Sequence, residues 1–146
     1  MNYAIVLRLL SYILLTEGAL LLLPAVASLC YGEWFVMGVF LFTAALSALA
    51  GAPFHRVKAK SQIFYMREGF VTTALCWLLI SVVGAVPFVL TGCIPNPVDA
   101  LFETVSGFTT TGASILPAVA DLPKGILFWR SFTHWIGGMG VLVFLL

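Results

Sequence analysis

Apolar residues gather into long blocks separated by short polar breaks. Ala4 to Leu29 and Trp34 to Ala52 are two such blocks, each near or above the roughly 20 residues a helix needs to cross about 30 Å of hydrocarbon. Tyr31-Gly32-Glu33 lies between them as a tight turn, so the two should form an antiparallel helical pair. A third span is expected from about Phe70 to Leu90 and a fourth from about Gly125 to Leu146. Between the third and fourth lies a different pattern. Pro95 to Pro97 permits a helix start, Asp99 sits in the first turn where a carboxylate complements the helix dipole, and Leu101, Phe102, Val105 and Phe108 recur at helical spacing.

That helix has only about three turns. It is too short to cross a bilayer and too apolar for a solvated loop, so it should dip in and return. Non-helical backbone at membrane depth is tolerated only where it is buried in protein or lines a water-filled cavity. Thr109-Thr110-Thr111-Gly112-Ala113-Ser114 is that backbone. Extended chain in a narrow passage can aim successive carbonyl oxygens at one axis and replace the water ligands of a cation, with glycine supplying dihedrals a side chain resists. The C-terminal end of the short helix, if it faces the cavity, adds a negative potential that favours a cation.

Composition fits this membrane reading: 62% of the 146 residues are hydrophobic and 9% charged, with mean hydropathy +1.11. The fold class expected is an all-α membrane protein, with transmembrane helices, a re-entrant pore helix and an extended filter loop. The net charge of +1 is not gathered into a basic stripe with interleaved aromatics, which excludes a nucleic-acid partner. Arg56, Lys58, Lys60 and Arg67 concentrate in the Pro53 to Glu68 loop, which places that loop and the N-terminus on the cytoplasmic side. The Thr91 to Lys124 region then faces outside. Ala25-Val26-Ala27-Ser28 resembles a signal-peptidase site, but the apolar stretch is too long for a secretory leader and contains Glu17.

Other chemistries fail on particular atoms. Cys30, Cys76 and Cys93 share no metal-ligand spacing and read as small hydrophobes, although Cys30 and Cys93 could both lie near the outer surface. Gly107 and Gly112 have phosphate-loop spacing, but Ala113-Ser114 stand where Lys-Ser/Thr is required. Ser114 lacks the surroundings of a nucleophile elbow, and His55 and His134 fall on opposite sides of the membrane, too far apart to share a metal. Gly137, Gly138 and Gly140 read as sites of close helix approach, Met139 and the Trp and Phe residues as lipid- or helix-facing bulk, with Trp129 and Trp135 as candidate interface anchors. Glu103 is a carboxylate in an apolar setting that needs a partner, either Arg130 or a backbone amide. Glu17 is too far along its helix from Arg8 to pair with it, so its partner is another helix or a water-filled crevice.

Phe102-Glu103-Thr104-Val105-Ser106-Gly107-Phe108-Thr109-Thr110-Thr111-Gly112-Ala113-Ser114, followed by His134-Trp135-Ile136-Gly137-Gly138-Met139-Gly140, closely resembles the first pore loop and following helix of TrkH-type potassium-uptake subunits in the Trk/Ktr/HKT superfamily. The two preceding spans resemble the extra N-terminal helical pair of that family. The resemblance implies an organisation of residues 1–52 as the N-terminal pair, 53–69 as a cytoplasmic basic loop and 70–146 as the first helix–pore-loop–helix repeat. It implies a channel-like transporter with covalently linked repeats around one pore, of which only the first is present here, so the chain is expected to be an N-terminal fragment that does not conduct alone. Thr110, Thr111, Gly112 and Ala113 would line the selectivity filter through backbone carbonyls, with potassium at Thr110, Thr111 and Gly112. Glu103 and Arg130 would support the pore loop. Potassium is the transported ion, and no covalent cofactor is implied. Expected partners are the remaining repeats, a second complete subunit in a homodimer, a cytoplasmic nucleotide-binding regulatory subunit and membrane lipid. Location is the cytoplasmic (inner) membrane, multi-pass. Passive entry and symport with protons or sodium are both left open, and a non-conducting membrane interaction module is the alternative.

Overall fold

The computed structural model describes residues 3–55 and 66–145, so Arg56, Lys58 and Lys60 of the basic loop lie outside the described residues. Those residues are helical and contain no strand: α1 (Tyr3–Leu20), α2 (Leu22–Cys30), α3 (Trp34–His55), α4 (Met66–Leu90), α5 (Pro97–Phe108) and α6 (Lys124–Leu145), with one 3-10 turn at Val119–Asp121. Among the described residues, three segments are long and apolar enough to cross a membrane: Ala4–Cys30, Trp34–His55 and Met66–Leu90. The fourth expected span, α6, is 22 residues long but carries Arg130 and His134. The chain is an all-α membrane protein.

Several helix ends fall away from the sequence expectation, each for a local reason. The first apolar block divides into α1 and α2 at Leu21, because Pro24 has no N–H for the Leu20 carbonyl and its ring crowds that carbonyl. α3 runs through Pro53 to His55 rather than stopping at Ala52; a proline in the last turn removes little of the ladder. α4 begins at Met66 instead of Phe70, with Glu68 in its first turn, where a carboxylate complements the helix dipole.

α1 and α3 pack antiparallel through small residues and hydroxyls. Ser11 Oγ donates to the Gly51 carbonyl at 2.9 Å and Ser47 Oγ to the Leu14 carbonyl at 2.7 Å. A Cβ on Gly18 would lie 3.1 Å from the Ala44 carbonyl, and one on Gly51 the same distance from the Ser11 carbonyl. Without a hydrophobic drive between helices in lipid, this backbone proximity and hydrogen bonding supply the attraction. Glu17 faces the same interior, 4% exposed, with neither carboxylate oxygen hydrogen-bonded among the described residues. Arg8 donates instead to the Tyr12 hydroxyl at 3.3 Å.

The centre of the core is Trp129, fully buried, which fits its reading as helix-facing bulk and not the alternative of an interface anchor. Its indole N–H donates to the Gly84 carbonyl at 3.0 Å, and its ring meets Phe40 and Phe108 edge-on at 6.2 and 6.4 Å. One side chain on α6 therefore touches α3, α4 and α5. Trp135 is 58% exposed, and many Leu, Val and Phe side chains on the outer faces are exposed as well, the surface a lipid-facing helix presents. All three cysteines are free.

Candidate functional site

α5 begins where Asn96 Oδ1 accepts the Val98 N–H at 3.1 Å, with Pro97 as the first helical residue and Asp99 in the first turn. Twelve residues give it a length of about 18 Å, well short of a bilayer. Its C-terminus is closed by a paired cap: Thr111 N–H donates to the Ser106 carbonyl and Thr110 N–H to the Gly107 carbonyl, each at 3.0 Å. The residue that turns left-handed in such a cap is usually glycine. Here it is Thr110, at φ 59°, and Gly112 follows at φ 75°.

The loop beyond is exposed from Thr109 to Ile115 yet held from beneath. Ser106 does this directly: its hydroxyl donates to the Ala113 carbonyl at 2.6 Å, while its own carbonyl accepts from Thr111 and, at 3.4 Å, from Gly112. Thr109 and Thr111 hydroxyls are 2.8 Å apart, and the Thr110 hydroxyl turns back to the Thr109 carbonyl. The Ala113 carbonyl is thus engaged, whereas the carbonyls of Thr110, Thr111 and Gly112 accept no hydrogen bond among the described residues. These oxygens can ligate a cation without first breaking a protein contact.

Glu103 anchors the far end of the loop. Its carboxylate is almost fully buried and accepts from Arg130 Nε at 2.6 Å, from the Ser114 hydroxyl at 3.0 Å to either oxygen, and from the Ile115 N–H at 3.2 Å. Both candidate partners raised by the sequence, Arg130 and a backbone amide, meet it, and Ser114 joins them. The buried charge is therefore matched by an opposite charge and by neutral donors, the condition under which such burial is tolerated.

α6 passes behind this assembly at close range. A Cβ on Gly107 would collide with Thr133 Oγ1, and one on Gly137 with the Phe108 carbonyl. Gly138 and Gly140 have only ordinary contacts, at 3.8 to 3.9 Å, so of the three glycines read as close-approach sites only Gly137 requires the missing side chain. The N-terminus of α6 is held by Glu33, whose two oxygens accept the Lys124 N–H at 2.7 Å and the Gly125 N–H at 3.0 Å. Sequence reasoning gave Glu33 no task beyond its turn. A contact 91 positions apart leaves no local pattern to read. Ser106 was equally silent, although a serine facing inward beside Gly107 is the polar residue an otherwise apolar helix face would betray. Among the described residues no group of His, Cys, Asp and Glu is arranged to hold a metal ion.

Known proteins resemble this chain along most of its length. Residues 36–145 match the TrkH family, described as cation transport protein. The chain is 38% identical over 138 residues to a cation transporter of Methanocaldococcus jannaschii, MJ1485, covering 94% of this chain and 29% of that protein. It is 34% identical over 147 residues to the Trk system potassium uptake protein TrkH of Halomonas elongata, and 32% identical over 149 residues to that of Escherichia coli, covering in each case 98% of this chain and 30% of the relative. The chain thus spans under a third of the length of these relatives. With the match extending over three of its four long helical segments and the whole loop, this chain belongs to the TrkH family of cation transport proteins.

Proposed function

We propose that this chain takes part in potassium uptake across the cytoplasmic membrane, contributing one strand of a cation-selectivity filter. The observation that carries the reading is the exposed loop Thr110-Thr111-Gly112, whose carbonyls accept no hydrogen bond among the described residues while the Glu103–Arg130 pair and Ser106 hold the backbone behind them. A filter works by replacing a hydration shell with fixed oxygens. Fixing is what the buried contacts supply, and freedom from competing donors is what the carbonyls supply. Ala113 joins through the second lone pair of its carbonyl. Potassium as the ion follows from the names of the Halomonas elongata and Escherichia coli relatives.

One such strand cannot surround an ion. The remaining strands come from further repeats, and a homodimer of complete subunits with a cytoplasmic nucleotide-binding regulatory partner is the assembly this family membership suggests. The concentration of Arg56, Lys58 and Lys60 between α3 and α4 supports an N-terminus in the cytoplasm and a filter loop outside.

The test is rubidium uptake and potassium-limited growth of potassium-uptake-deficient cells expressing this chain or a version extended through all repeats. Uptake by the extended version only is the expected result, and Gly112→Asp in it should abolish the preference for potassium over sodium while insertion persists. Membrane insertion of both without uptake by either would overturn the reading in favour of a non-conducting interaction module.

A further inference from the structure

We propose that Glu33, in the turn between α2 and α3, is a positioning residue for the filter, so that the N-terminal helical pair sets ion selectivity through α6. The inference rests on the filter reading above. Its starting point is the bidentate grip of the Glu33 carboxylate on the Lys124 and Gly125 N–H groups. Glu33 is itself fixed: its N–H donates to the Ser28 carbonyl and its carbonyl accepts the Met37 N–H, both at 2.9 Å. Gly125 is wedged beside Ser28, with Val36 3.2 Å from where its Cβ would stand. The first turn of α6 is thereby bound to the N-terminal pair as well as to Pro123 before it, whose carbonyl accepts the Leu127 N–H at 2.9 Å.

Everything that α6 does for the filter lies downstream on the same rigid rod. Arg130, about 9 Å along the axis from Lys124, makes the 2.6 Å contact to Glu103, and Glu103 holds Ser114 and Ile115 at the end of the loop. Thr133 and Gly137 then meet Gly107 and Phe108, the last turn before the loop begins. Hydrogen bonds weaken as distance and angle leave their preferred range, so an axial slip of α6 tilts and weakens the Arg130–Glu103 contact. Glu33 is the side chain that grips the N-terminal end of that rod, and both its oxygens oppose movement away from it. A helix held in register this way fixes the spacing of the filter carbonyls, on which discrimination between ions of different radius depends.

The experiment uses the complete subunit carrying Glu33→Ala, Glu33→Gln or Gly112→Asp, with rubidium and sodium uptake normalised to the amount inserted in the membrane. Glu33→Ala should lower the rubidium-to-sodium ratio by roughly three- to tenfold, the range expected when coupling between distant elements is weakened. Glu33→Gln, nearly isosteric, keeps one acceptor and should fall between it and the parent. If Glu33→Ala does not insert, the glutamine variant decides. A change in membrane abundance with an unaltered ratio in the Glu33 variants, while Gly112→Asp alters it, overturns the positioning role and leaves the filter reading standing. An unaltered ratio in Gly112→Asp removes the filter reading and the inference with it.

Discussion

Arg130 and Glu103, 27 positions apart, meet through a single 2.6 Å contact between Nε and Oε1, and the two ends of that contact are unequally buried: the arginine side chain is 18% exposed and the glutamate 1%. The asymmetry decides what each deletion costs. Without Arg130 the carboxylate stays inside with only neutral donors, whereas without the Glu103 charge the guanidinium can still reach the surface.

Arg130→Gln should therefore destabilise the folded chain by roughly 3 kcal/mol, the scale of a buried charge deprived of its partner. Glu103→Gln keeps an acceptor for Ser114 and should cost about 1–2 kcal/mol. Thermal unfolding in detergent of the two single variants and the double variant measures the difference and the coupling. Equal losses from the two singles would show that the unequal burial of the two ends does not decide the cost.

The glycines of α6 offer a second contrast. Gly137→Ala forces a methyl into the Phe108 carbonyl, which is backbone and can move only if α5 and α6 separate. It should cost about 3 kcal/mol or prevent folding, in the range of severe overpacking. Gly140→Ala meets only Trp77 carbons at 3.8 to 3.9 Å and should be neutral or gain a few tenths of a kcal/mol from higher helix propensity. Comparing inserted amount and detergent stability of the two variants checks this. Equal tolerance would mean the α5–α6 approach is looser than described.

Two left-handed residues in the loop predict opposite responses to substitution. Thr110 pays for φ 59° with a β-branched side chain, so Thr110→Asn should relieve about 1 kcal/mol of local strain. Gly112, at φ 75° with nothing within 4 Å of a Cβ, has room for a side chain but not the backbone freedom for one. Gly112→Asn should consequently preserve more uptake than Gly112→Val in the complete subunit, although valine is smaller in polarity and similar in bulk. Indistinguishable variants would show that the cost at this position is not conformational.

What the sequence made legible follows from the range over which each signal acts. Membrane spans are averages over about 20 residues, so three of the four expected ones survived local irregularity, while Pro24 and Pro53 show that a proline breaks a helix in one setting and not in another. The short helix from Pro97 to Phe108 was legible because its cap, dipole and apolar face all agree within twelve residues. The Glu103 partners were legible as a requirement: a carboxylate among apolar residues had to find a donor. Which glycine of Gly137, Gly138 and Gly140 is indispensable, that Trp129 is core and Trp135 is not, and that Glu33 caps α6 all depend on the rotation of one helix against another. That rotation has no local signature in this chain, since α3 and α4 are apolar around nearly their whole circumference.

Trp129 carries the last prediction, because it joins α6 to α3, α4 and α5 in one side chain. Its indole N–H donates to the Gly84 carbonyl, an oxygen at a helix position that can also serve the α4 ladder, so losing the donor alone strands no buried acceptor. Trp129→Phe should then cost only about 1–2 kcal/mol, from one hydrogen bond of membrane strength and an imperfectly filled space. Trp129→Ala removes the ring that touches Phe40 and Phe108 together and should cost about 3–5 kcal/mol. Trp135→Ala, at a 58% exposed position, serves as the control and should stay within roughly 1 kcal/mol. Thermal unfolding in detergent ranks the three. A loss at Trp135 as large as that at Trp129 would contradict the core placement of Trp129, and with it the route by which α3, α4 and α5 are held to α6.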